Sequence, residues 1–165
     1  MPILDAHTLE FFSRSPEQTR RVGMRLGKFL REGDVLCLQG DLGAGKTTFV
    51  QGLAQGWGSL DPVSSPTFIL VNVYRRADAK QFFHLDAYRL DSVPEAEELD
   101  VDSMLEQGPL VVEWPERVGD LIPDEKLWIH FDHMSDEHRQ MVFKASGRHY
   151  DYVLNEIRKT MFGAS

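Results

Sequence analysis

The run Gly40-Asp41-Leu42-Gly43-Ala44-Gly45-Lys46-Thr47 matches G-x-x-x-x-G-K-[ST] at every fixed position. Glycines let a backbone curl until consecutive N–H groups converge, an arrangement that takes phosphate oxygens. The lysine of such a run reaches the β- and γ-phosphates of a nucleoside triphosphate, and the hydroxyl beside it faces Mg²⁺. Asp41, Leu42, Gly43, Ala44, Gly45, Lys46, Thr47 and Thr48 are therefore candidate nucleotide contacts. Lys46 is also a candidate catalytic group and Thr47 a candidate metal ligand.

Mg²⁺ keeps several waters and is held by one or two protein oxygens beside the phosphates, so a carboxylate is required nearby. Two acids end apolar runs: Asp86 in Phe82-Phe83-His84-Leu85-Asp86 and Glu113 in Leu110-Val111-Val112-Glu113-Trp114. Either suits the metal and the attacking water. His84 and Arg89 flank Asp86 and suit orienting it or forming structural ion pairs. Ser64-Ser65-Pro66-Thr67-Phe68 puts hydroxyls in a loop where a γ-phosphate sensor often lies, which makes Thr67 a candidate contact. Trp114 is equally suited to the core and to the nucleotide. No Asn-Lys-x-Asp run marks guanine, so ATP with Mg²⁺ is the expected ligand pair. Ser15 and the loop at 135–139 are candidate walls for the base.

These side chains need a scaffold. Thr8–Ser13 reads as a strand, and Ser15-Pro16-Glu17-Gln18 as a helix start with proline in the first turn. Val22, Leu26, Phe29 and Leu30 recur at helical spacing, and Gly33 offers a stop. Residues 34–39 form an apolar run of the kind covered on both faces, feeding directly into the glycine loop, with a helix expected over 46–55. Residues 68–74 and 81–85 suggest an antiparallel hairpin, 94–107 short acidic surface helices, and 110–114 a buried strand. Residues 127–133 and 140–145 suggest a second hairpin, with a closing helix over 150–161. The expectation is an α/β, P-loop NTPase-like three-layer fold, a mixed central sheet flanked by helices, in a single P-loop ATPase domain over 1–165.

Composition narrows the class. Hydrophobic residues make up 42% of the 165 and charged ones 27%, which suits a folded soluble chain. The single cysteine, Cys37, sits in an apolar run and reads as a buried, inert thiol; an internal disulfide is impossible. No basic leader and no span of about 20 apolar residues is present, so a cytoplasmic protein without membrane contact is expected. With 26 acidic residues against 18 basic, the net charge of −8 repels a nucleic-acid backbone. Any contact with RNA is therefore expected to run through a partner.

Taken together, Gly-Asp-Leu-Gly-Ala-Gly-Lys-Thr-Thr at 40–48, Ser-Pro-Thr-Phe at 65–68, His-Leu-Asp-Ala-Tyr-Arg-Leu at 84–90 and Glu-Trp at 113–114 resemble one family in order and spacing. It is the bacterial TsaE (YjeE) family of P-loop ATPases in tRNA threonylcarbamoyladenosine biosynthesis. The resemblance implies ATP hydrolysis and association with the two protein subunits of the bacterial threonylcarbamoyl transferase complex, which modify the adenosine beside the anticodon. It further implies Mg²⁺ contacts at Thr47 and Glu113, an essential acid near the metal at Asp86, a switch-loop role for Thr67, and Trp114 close to the nucleotide. Phe68 stands where the family more often has tyrosine, Leu85 lies where a phenylalanine is usual, and nothing after Ala145 matches a motif.

The expected function is a slow ATPase acting as a nucleotide-dependent switch on that complex. Slowness is expected because no arginine finger is obvious, Arg89 and Arg117 being the candidates. A small-molecule kinase would need an acceptor pocket and an arginine-bearing lid; an ATP-sensing adaptor would bind without turnover.

Overall fold

The structure, a computed structural model, describes residues 7–41, 45–63, 71–88 and 100–163. Seven strands, β1 (Thr8–Ser13), β2 (Val35–Gln39), β3 (Val71–Arg75), β4 (Gln81–Asp86), β5 (Leu110–Glu113), β6 (Lys126–Ser135) and β7 (His138–Ser146), form one sheet in the order β1-β7-β6-β2-β5-β4-β3. The helices are α1 (Pro16–Gly27), α2 (Lys46–Trp57), α3 (Val101–Gln107) and α4 (Arg148–Arg158), the last continuing as a π-helical turn, Lys159–Gly163.

β4, β5, β2 and β6 run parallel, while β3 and β7 are antiparallel to their neighbours, so the sheet is mixed as expected. Parallel strands must be covered on both faces. β2 shows it, with Val35, Leu36, Cys37 and Leu38 all buried. Leu36, Leu38, Val111, Ile129 and Phe143 pack beneath α1, α2 and α4 through Leu26, Phe49, Leu53 and Leu154. On the other face, Cys37, Leu85 and Val112 pack against Val101 of α3 and against Val118 and Ile122, which lie beyond β5. Burial pushes the Cys37 thiol up to about 12, in keeping with an inert core residue.

The three layers are complete over β2, β5 and β4. On β6, Leu127, Ile129 and Phe131 alternate into the first core, so Trp128, His130 and Asp132 face the other side. Among the described residues these three stay partly or fully exposed, and this half of the sheet has two layers. No described helix is long and apolar enough to cross a membrane.

The start of α1 follows its sequence signal: the Ser15 hydroxyl accepts from the Gln18 N–H at 3.1 Å, and Gln18 Oε1 accepts from the Arg14 N–H at 2.8 Å. Its end does not. The helix stops at Gly27 rather than running to Gly33, because the Phe29 and Leu30 N–H groups bond three residues back, to Leu26 O (3.0 Å) and Gly27 O (3.2 Å). Gly33, at φ +89°, instead turns the chain into β2. Of the acidic stretch expected to be helical, α3 covers the end, and 94–99 lie outside the described residues. α4 begins before its expected start, and the Tyr150 hydroxyl accepts from the buried Val35 N–H at 2.8 Å, which ties this helix to the first residue of β2.

Candidate functional site

The carboxyl ends of β4, β5 and β2 lie together because their register pairs Asp86 with Glu113 and Glu113 with Leu38. In an open parallel sheet this edge is where ligands bind. α2 starts at Lys46 immediately beyond β2, with Gly45 in the left-handed region at φ +102°. Its first-turn N–H groups therefore point into the space between the strand ends and α1, and the helix dipole favours an anion there. A cleft of about 240 Å³ fills that space, lined by Lys46, Thr47, Thr48, Asp86, Glu113 and Trp114, with Pro16, Thr19, Gly45, Glu137 and Arg139 completing its walls.

Lys46 is buried, and its ammonium donates to Gly40 O at 2.6 Å while lying 4.1 Å over the Trp114 ring. Burial lowers its pKa, and the nearby Glu113 and Asp86 carboxylates oppose that shift. The charge is thus partly dehydrated and braced by a carbonyl and an aromatic face, both of which phosphate oxygens would outcompete. Trp114 holds this place through its backbone, in the left-handed region at φ +60° with Pro115 following. Its ring also meets Tyr88, at a centroid distance of 4.9 Å.

The two acids are held differently. Asp86 Oδ1 accepts from the Tyr88 N–H at 2.9 Å, yet burial, aided by the Glu113 charge, raises its pKa above the ordinary carboxylate range. Glu113 Oε2 accepts from His84 Nε2 at 2.5 Å, and His84 Nδ1 accepts from the Tyr74 hydroxyl at 2.9 Å. Of the two roles that His84 suited, orienting Asp86 or forming a structural pair, the structure shows the second, with Glu113 as the carboxylate partner.

A carboxyl whose pKa is raised by folding penalises its charged form in the folded state. The penalty is full above the folded pKa and vanishes below the ordinary value near pH 4. Asp86→Asn is therefore expected to raise the melting temperature of the nucleotide-free protein at pH 7, with the gain shrinking as the pH falls toward about 4. Thermal unfolding across that range checks it; a variant that melts lower than wild type at pH 7 would count against a half-buried, charged Asp86.

The cleft brings together Gly45, Lys46, Thr47, Thr48, Asp86, Glu113 and Trp114, all singled out from the sequence. Asp41 lines an adjoining recess with Gln39, Gly40, Trp114, Glu116 and His130. Leu42, Gly43, Ala44, Thr67 and Arg89 lie outside the described residues. The 135–139 loop contributes Glu137 and Arg139, while Ser15 gives way to its neighbours Pro16 and Thr19. Arg117 is not on the cleft; its guanidinium lies 5.7 Å over the Tyr88 ring. Arg139 is the arginine at the wall, donating to Asp136 O (2.8 Å) and His138 O (3.0 Å). A Cβ built on Gly45 would sit 3.7 Å from its Cγ. No local motif marks Arg139; the β6–β7 hairpin brings it there.

Residues 13–141 match the family model described as Threonylcarbamoyl adenosine biosynthesis protein TsaE, which ends before α4. The chain is 36% identical over 152 residues to the tRNA threonylcarbamoyladenosine biosynthesis protein TsaE of Bacillus subtilis (strain 168), covering 92% of this chain and 94% of that protein. It is 38% identical to the protein of the same name from Treponema pallidum (strain Nichols), covering 78% of this chain and 95% of that one. The crystal structure of YdiB from Bacillus subtilis superposes with a TM-score of 0.77 at 31% identity, covering 93% of this chain and 95% of that chain. Motifs, fold and matches spanning nearly the full length of these relatives agree, and the chain belongs to the TsaE family.

Proposed function

We propose that this protein binds ATP with Mg²⁺ in the cleft at the α2 N-terminus, hydrolyses it slowly, and acts in threonylcarbamoyl modification of the tRNA adenosine beside the anticodon. The observation that carries the reading is the convergence of Lys46, Thr47, Asp86 and Glu113 on one cleft at the carboxyl edge of the sheet. The names of its relatives support the pathway.

The donor set fits the metal: one hydroxyl and two carboxylates supply the hard oxygens that Mg²⁺ takes. Mg²⁺ held there would neutralise charge building between the β- and γ-phosphate oxygens. Lys46 would leave Gly40 O for the phosphates, and the first-turn amides of α2 would hold them. Glu113 or Asp86 would orient the attacking water. Catalysis of this kind rests on positioning and charge, with little covalent work for the protein.

The chain's net charge of −8 disfavours direct tRNA contact. The protein would act instead as a nucleotide-dependent switch on the two protein subunits of the transferase complex, with the partners completing or closing the site. Steady-state ATP hydrolysis by the purified protein, alone and with both subunits, tests this. Turnover should be slow alone and rise in the complex, by as much as the roughly 10³–10⁵ that a supplied arginine gives. Turnover indifferent to the partners would count against the switch, and undetectable turnover with every partner present would favour an ATP-sensing adaptor.

A further inference from the structure

Tyr74, His84 and Glu113 sit on three neighbouring strands, each two residues out of step with the next. β3 pairs Asn72 with His84, so Tyr74 is diagonal to His84; β5 pairs Val111 with His84, so Glu113 is diagonal on the other side. Diagonal neighbours on one sheet face lie within reach of long side chains, and here both diagonals close as hydrogen bonds, at 2.9 and 2.5 Å. His84 is fully buried, and Tyr74 and Glu113 are 3% and 4% exposed.

The direction of the chain follows from its ends. The Glu113 carboxylate can only accept, so His84 Nε2 donates to it and the Tyr74 hydroxyl donates to the other ring nitrogen. Nδ1 is thereby the acceptor and Nε2 carries the hydrogen that Glu113 Oε2 accepts. One Glu113 oxygen is thus committed inside the sheet, while the residue still forms part of the cleft wall.

The geometry points to His84, locked by Tyr74, as a positioning residue that leaves Glu113 a single oxygen to offer the cleft and so restricts the site to a small octahedral cation. Mg²⁺ takes carboxylates through one oxygen in near-ideal octahedral geometry, whereas Ca²⁺ accepts a two-oxygen grip and more ligands. Freeing Oε2 would permit that grip. This inference rests on the proposed Mg·ATP site and deepens it by naming what selects the cation. Hydrogen-bonded partners of this kind orient a metal's ligands, and their loss typically costs ten- to a hundredfold in metal affinity.

The test is binding of a fluorescent ATP analogue to the full chain, titrated with MgCl₂ or CaCl₂ and repeated in EDTA. His84→Leu should raise the half-saturating Mg²⁺ about tenfold and shrink the preference for Mg²⁺ over Ca²⁺ by a similar factor. Its affinity in EDTA should stay within roughly twofold of wild type, which a general loosening of the fold would not allow. His84→Gln keeps a donor near the Nε2 position and should restore most of the Mg²⁺ affinity. If His84→Leu fails to fold, Tyr74→Phe decides, with a shift of roughly threefold in the same direction. Unchanged Mg²⁺ affinity and cation preference, or an equal loss with and without metal, would overturn the role of His84 alone. Wild-type protein that binds the analogue no better with Mg²⁺ than in EDTA would overturn the site and this inference with it.

Discussion

Lys46→Ala is expected to lower ATP turnover by roughly 10²- to 10³-fold, the typical loss when one preorganised donor to a developing charge is removed. Its ammonium is positioned before any ligand arrives, 2.6 Å from Gly40 O and 4.1 Å over Trp114, with Glu113 and Asp86 on the same cleft. Among the described residues no other lysine lines the cleft, and Arg139, at its wall, donates to carbonyls of its own hairpin. The fold itself should not suffer. Burial lowers the Lys46 pKa, so the charge costs the nucleotide-free protein stability at neutral pH, and removing it relieves that cost. Steady-state turnover with the partner subunits, beside a thermal melt of the same sample, separates the two effects. A variant that keeps turnover within a fewfold of wild type would remove Lys46 from the site.

The largest expected effect on stability lies away from the chemistry, where α1 crosses α2. A Cβ built on Gly52 would stand 2.0 Å from Arg20 O, and one on Gly56 2.0 Å from Met24 O. Reciprocally, Gly23 and Gly27 of α1 face Phe49 O and Leu53 O at 2.4 and 2.2 Å. Each glycine thus directs a Cα–H at a carbonyl of the other helix, a contact that only a bare Cα permits. The obstacle is backbone, which cannot rotate away as a side chain can. Gly52→Ala must therefore push the helices apart and open the packing around Phe49, Leu53 and Leu26, at a cost of about 3 kcal/mol. That is a large share of the roughly 5–15 kcal/mol that holds a domain folded. α1 also supplies Pro16 and Thr19, and α2 begins at Lys46, so the surviving folded fraction should bind nucleotide more weakly. Urea unfolding monitored by circular dichroism checks the first effect; a stability within about 0.5 kcal/mol of wild type would show that the crossing tolerates a methyl group.

The sequence by itself determined the parts of the site that are contiguous or that end an element. The proposed phosphate-binding run was legible because the end of one strand, the run itself and the start of one helix are consecutive in the chain. Asp86 and Glu113 stood out because each closes an apolar strand, and parallel pairing then put both on the same edge. The start of α1 was equally local, as the Ser15 cap shows. Helix ends were not: α1 stops at Gly27 because its last N–H groups tighten onto Leu26 and Gly27, a choice set by packing on the sheet rather than by the glycine at position 33.

Tertiary structure alone decided the cross-strand chemistry. His84 and Asp86 are two apart on one strand and share a face, so neighbourhood in sequence suggested a pair. The β4–β5 register instead set Glu113 on the diagonal from His84 and gave it the hydrogen bond. Arg139 reaches the cleft because the β6–β7 hairpin extends past the edge of β2, a matter of strand length and stagger that no motif carries. The glycines at 23, 27, 52 and 56 show a four-residue spacing in the sequence, but a spacing on one helix does not say which backbone will come close. Contacts within a turn or along one strand follow from local bonding rules; contacts between elements depend on register and approach, which the packed chain fixes all at once.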